Sequence, residues 1–154
     1  MNGTLDSERK IAADTIERLV THRAWWWERD APTGVLHSEN ECVKFARTSD
    51  GIVLLVGGEL SPIVYSEYLS AKIACAERYI FIRVREGDVL PADVRDFVDQ
   101  ERRTAVTRNF QNEAELESHL YQALVHTSVR AAREVQIERQ RKEVQSNARL
   151  KRSR

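Results

Sequence analysis

Apolar positions near the amino end recur at helical spacing: Ile11, Ala12, Ile16, Leu19 and Val20 line one side of a helix that Thr4 or Asp6 can cap and that runs to about Val20. The segment His22 to Glu28 predicts a strand. Three consecutive tryptophans cannot share one helical face, whereas strand alternation sends Trp25 and Trp27 one way and Trp26 the other. Asp30, Pro32 and Gly34 punctuate a loop, and Ser38 can cap a second helix carrying Cys42, Val43, Phe45 and Ala46, which Asp50-Gly51 ends. The run Ile52 to Val56 is continuously β-branched or leucine, the pattern of a strand buried on both faces of a parallel sheet.

Gly57, Gly58, Ser61 and Pro62 then make a turn into a third helix with Tyr65, Tyr68, Leu69, Ile73 and Ala76 on its faces. Tyr79 to Val84 is the next strand, Glu86-Gly87-Asp88 turns the chain, and Pro91 opens a fourth helix to about Gln100. Thr104 to Phe110 reads as the last strand. Asn112 caps a long helix with Leu116, Leu120, Leu124 and Val129 on one face. Strands alternating with helices predict an α/β fold: a parallel sheet of about four strands with helices on both faces, plus a long C-terminal helix. Ligands of such sheets sit beyond the carboxyl ends of the strands. That directs attention to Glu28–Gly34, Gly57–Glu67 and Arg85–Asp88.

A length of 154 residues favours one core, and 31% charged residues imply a highly charged surface. The charge is uneven. Residues 128–154 hold nine Lys or Arg against three Glu, a net of +6, so residues 1–127 carry −6. The division expected is an α/β domain over 1–127 and a basic helical tail over 128–154. The tail lacks a sustained apolar heptad and interleaved aromatics, which argues for a solvated helix or a link to a partner and against nucleic-acid binding.

Cys42 and Cys75 lie in helix-like patterns, outside any C-x-x-C pair, and no stretch approaches the roughly 18 apolar residues of a membrane span. A cytoplasmic protein that does not engage membranes is the expectation. No phosphate-cradling G-x-x-x-x-G-K or G-x-G-x-x-G pattern occurs, which argues against an ATPase or a dinucleotide dehydrogenase. The histidines, His22, His37, His119 and His126, are dispersed, so no metal site and no cofactor is expected.

Glu67 is the candidate catalytic residue. It follows the most apolar strand, in what reads as the first turn of a helix whose positive end would keep it ionised. A carboxylate beside a sugar can attack or stabilise an oxocarbenium-like centre, as cleavage of a glycosidic bond requires. On these grounds alone, helix stabilisation is the commoner role for such a glutamate.

A wider pattern adds to this. Leu5 through Ala12, Trp27-Glu28-Arg29-Asp30, Ser49 through Gly57, and Ser61 through Ala71 follow in an order and spacing that resembles the TIR-like domain-of-unknown-function family allied to nucleoside 2-deoxyribosyltransferases, over roughly residues 5–125. The resemblance implies a flavodoxin-like fold. It also implies that Glu67 works on the N-glycosidic bond of a nucleoside or of NAD, the nucleotide being substrate rather than cofactor, in a signalling or defence setting. Asp50, Gly57, Ser61 and Tyr65 fall where relatives line the pocket. Gly58, Glu28 and Trp27 join them as expected substrate contacts, Trp27 by stacking on a base, although core packing is the commoner role of a tryptophan.

The family begins with an apolar strand ahead of the segment matching Leu5 to Ala12. This sequence opens with Met1-Asn2-Gly3-Thr4, so the first strand is expected to be lacking. The Trp25 and Leu54 strands would then pair directly, take a strand from another chain, or be completed by residues upstream. The rival expectation is a catalytically silent, N-terminally truncated sensing or scaffold module that forms a homo-oligomer.

Overall fold

The structure, a computed structural model, describes residues 5–31 and 38–152. The chain forms two compact units, one ending at Leu120 and one running from Tyr121 to Arg154. In the first, α1 (Asp6–Glu17), α2 (Trp27–Asp30) and α3 (Ser38–Thr48) precede three strands that alternate with helices: β1 (Gly51–Val56), α4 (Pro62–Ile73), β2 (Glu77–Arg83), α5 (Ala92–Glu101) and β3 (Thr107–Phe110). α6 (Glu113–Arg152) starts in the first unit and makes up the second.

The strands form one parallel sheet in the order β1-β2-β3, with Leu54 opposite Ile80 and Ile82 opposite Asn109. Side chains alternate across a strand, so Leu54, Val56, Ile80 and Ile82 share a face. They pack there with Tyr68 of α4 and with Val94 and Val98 of α5 into the main apolar core. The other face carries Arg83, which meets Glu8 of α1, so helices cover both sides. α3 packs along α4.

Local chemistry accounts for the helix ends. The Ser61 hydroxyl accepts from the Val64 amide at 3.2 Å, with Pro62 in the first turn of α4, and Asn112 caps α6 by accepting from the Glu115 amide at 3.0 Å. α4 ends in a left-handed residue, Cys75 at φ 62°, and the Ala76 amide reaches back to the Ala71 carbonyl at 3.0 Å. Cys75 is therefore an exposed helix terminator and not part of a helix.

The tryptophan segment departs from the expected strand. Residues 22–26 have no regular structure and Trp27–Asp30 is a helical turn, so the described sheet has three strands where about four were expected. The cause lies in its polar neighbours. The Asp30 carboxylate accepts the Trp26 amide at 2.8 Å, and the Arg29 guanidinium donates to the Ala24 carbonyl at 2.7 Å, so backbone groups that a sheet would use are taken locally. Trp25 stacks on Phe45 of α3 at 4.3 Å and meets Trp27 edge-on at 6.2 Å, which buries ring area without a ladder. Thr4, Pro32, Gly34 and His37 lie outside the described residues.

Candidate functional site

Glu67 sits in the second turn of α4, since Ser61 is the cap and Pro62 the first helical residue. The expected first-turn placement is thus corrected. The helix dipole acts within the first turn, so it does little for this carboxyl. Burial pushes the Glu67 pKa up. The Cys42 thiol of α3, hydrogen-bonded to it, offsets part of that, and the charge of Glu28 pushes it up further. Cys42 is 6% exposed; burial and then the Glu67 carboxyl raise its thiol to about 12. It is a neutral donor and not a nucleophile.

Glu28, in α2, keeps a solvent-facing carboxylate ion-paired with Arg9 of α1 at 3.3 Å. The cluster therefore joins four helices: Arg9 from α1, Glu28 from α2, Cys42 from α3 and Glu67 from α4. Among the described residues no cation pairs with Glu67.

Two glutamates more deeply buried than Glu67 show what a cation does. Glu8, 1% exposed, accepts from Arg85 at 2.9 Å and lies 3.6 Å from Arg83. Burial would raise its pKa, but its own backbone amide, the Ser7 hydroxyl, Arg85 and Arg83 together hold it below the usual carboxylate range. Glu101, 2% exposed, accepts from Tyr68 and Lys72, each at 2.5 Å, and from Arg78 at 2.6 Å. Burial again opposes, and the Lys72 and Tyr68 hydrogen bonds with the Arg78 charge again prevail, so its pKa is lowered. Glu67 is perturbed in the opposite direction from both.

The remaining expected contacts divide. Gly57 follows β1, and a Cβ there would lie 3.0 Å from the Leu5 side chain and 3.2 Å from the Arg83 guanidinium, which itself donates to the Gly57 carbonyl at 3.3 Å. Its lack of a side chain admits the Arg83 network at the carboxyl rim. Gly58 has open space around it. Ser61 is committed to capping α4. Tyr65 meets Phe97 of α5 edge-on at 5.4 Å. At about 100° per residue it lies on the opposite side of α4 from Glu67. Asp50 precedes β1, at the amino end of a strand about 20 Å long, and its carbonyl accepts the Glu77 amide. Neither Asp50 nor Tyr65 joins Glu67. Trp27 opens α2 one residue before Glu28, edge-on to Trp25.

Sequence reading missed Cys42 as the neighbour of Glu67, Arg9 as the partner of Glu28, and the whole Glu8 network. One signal was present: Arg83 interrupts an apolar strand run, and a buried arginine requires an acid. Two surface depressions, one on α5 lined by Asp96, Asp99, Gln100 and Arg103 and one on α6 lined by Ile137, Gln140, Arg141, Val144 and Gln145, do not include Glu67. No group of described His, Cys, Asp and Glu has the arrangement of a metal site, and no described helix is long and apolar enough to cross a membrane. Comparison of the chain with protein-family models, with curated proteins and with solved structures returns no match.

Proposed function

We propose that the chain is a TIR-like, nucleoside deoxyribosyltransferase-like domain that cleaves or transfers the N-glycosidic bond of NAD or a related nucleotide, with Glu67 as the nucleophile or electrostatic stabiliser. One observation carries the reading: Glu67 is a half-buried glutamate whose pKa is raised and which has no cation beside it among the described residues, whereas the buried Glu8 and Glu101 are held ionised by arginines and a lysine. Structural carboxylates in this fold are neutralised by cations. A perturbed, unneutralised carboxyl is the kind that catalysis uses.

Glu28 supplies the second carboxylate. Its charge raises the pH at which Glu67 becomes the ionised carboxylate that attacks or stabilises the sugar centre, and Arg9 lies 3.3 Å from the Glu28 carboxylate. Trp27, next to Glu28, offers an aromatic face for a base. The flavodoxin-like arrangement and a fourth strand belong to this same proposal.

The test is incubation with NAD and with nucleosides, following release of nicotinamide or free base by chromatography. Turnover by the native chain and a loss of about 100-fold or more in Glu67→Gln is expected, the scale on which a participating carboxyl acts. Equal rates would remove Glu67 from the chemistry.

A second reading is a silent sensing or scaffold module that self-associates in the cytoplasm. One observation favours it: among the described residues β1 pairs on one edge alone, and an open edge is a template for another chain. It predicts a stable oligomer by light scattering and no base release at any protein concentration.

A further inference from the structure

The second unit, Tyr121–Arg154, is helical through Arg152, and from Arg130 to Arg149 every side chain is exposed. Its acids are partly consumed within the helix: Glu134 lies 3.9 Å from Arg130 and Glu138 lies 3.4 Å from Lys142. Arg133, Arg139 and Arg141 pair with no acid among the described residues.

The distribution of these cations limits what can bind them. At about 100° per residue, Arg133 and Arg141 flank the side bearing Ile137 and Val144, Arg139 lies nearly opposite, and Lys142 and Arg149 lie between. No flat surface can meet them all. Of the exposed apolar residues, Val129, Ile137 and Val144 share a side and Val135 lies roughly opposite, a stripe of three side chains over about four turns that is too sparse for an a/d seam or for a lipid-binding face. A groove walled on two sides by phosphates does meet cations placed around a helix, and the B-form major groove admits one. Arginine, which supplies seven of the nine tail cations, is also the side chain best shaped for phosphate oxygens.

The acidic body, −6 over residues 1–127, gives no rival target of matching density. On α5, for example, Asp93, Asp96 and Asp99 are accompanied by Arg95 within the helix and by Arg102 and Arg103 just after it.

We infer that the helix from Arg130 onward is a sequence-independent binding element for the phosphate backbone of duplex DNA, through Arg133, Arg139 and Arg141 among others. The acidic body repels the same polyanion and confines contact to this helix.

The experiment uses the whole chain with a labelled 20-base-pair duplex, titrated by fluorescence anisotropy at rising salt. With about four phosphates engaged, affinity falls about 100-fold between 50 and 200 mM salt. A variant carrying Arg133→Gln, Arg139→Gln and Arg141→Gln, its helix content checked by circular dichroism, binds at least ten-fold more weakly, and its salt slope is shallower by roughly three. The matching Arg→Lys variant keeps the native slope. The inference is overturned by no binding at 50 mM salt, by a slope that the Gln variant leaves unchanged, or by a dimer that the Gln variant dissolves without any DNA affinity, which would assign the helix to a second copy of the chain.

Discussion

Burial acts on three glutamates of this protein with opposite results, and the neighbours decide the sign. Glu8 and Glu101 face guanidinium and ammonium groups and stay charged; Glu67 faces a thiol and another carboxylate and holds its proton to higher pH. Removing the acid from a buried ion pair weakens the hold on its base, so Glu8→Ala leaves Arg83 to the partly exposed Asp88 at 3.2 Å and lowers stability by about 2 kcal/mol, read as the urea midpoint. A loss under about 0.5 kcal/mol would mean that the pair is solvated like a surface bridge. Linkage gives the three residues opposite pH signatures. For Glu8 and Glu101, folded pKa values below the ordinary 4.5 mean stability that is full above 4.5 and lost as pH falls through the folded values. For Glu67 the folded value lies above 4.5, so its contribution is full below 4.5 and lost as pH rises through the raised value. In Glu67→Gln that decline above pH 4.5 disappears, whereas the acid limb stays; urea melts across pH separate the two.

Single elements show where sequence patterning suffices and where it does not. Gly51–Val56 and Glu77–Arg83 were legible because a continuous apolar run has few alternatives to a buried parallel strand. The cap at Asn112 was legible because a side-chain oxygen three residues before an amide is a local matter, whereas Ser61, read as part of the turn and as a substrate contact, caps α4. The tryptophan segment was not, because alternation describes side chains, and here Asp30 and Arg29 settled the backbone. Asp30→Ala frees the Trp26 amide and loosens α2, costing about 1–2 kcal/mol, and shifts tryptophan emission to the red; unchanged emission would contradict the role given to this carboxylate. At the end of α4, Cys75→Gly relieves a left-handed residue and raises stability by about 1 kcal/mol, measurable from the denaturant midpoint. Lower stability in that variant would show that the Cys75 side chain contributes more than its backbone costs.

At the scale of the whole molecule, three parallel strands with helices on both faces bring residues of α1, α2, α3 and α4 to one cluster, and no local pattern foretells that meeting. Glu67 could be singled out from its position after β1. Its neighbours Glu28 and Cys42, and Arg9 paired with Glu28, come from three separate elements, and Tyr65 and Asp50 do not join them. Coupling of Glu28 to Glu67 in the service of glycosidic chemistry is tested most directly by the pH profile of base or nicotinamide release from NAD and nucleosides by the native chain, Glu28→Gln and Glu67→Gln. Expected are a limb in which the native rate rises with pH through a midpoint above 4.5, a midpoint displaced downward in Glu28→Gln, and a rate about 100-fold lower in Glu67→Gln. Release that is absent from the native chain, or that proceeds equally in Glu67→Gln, would contradict it.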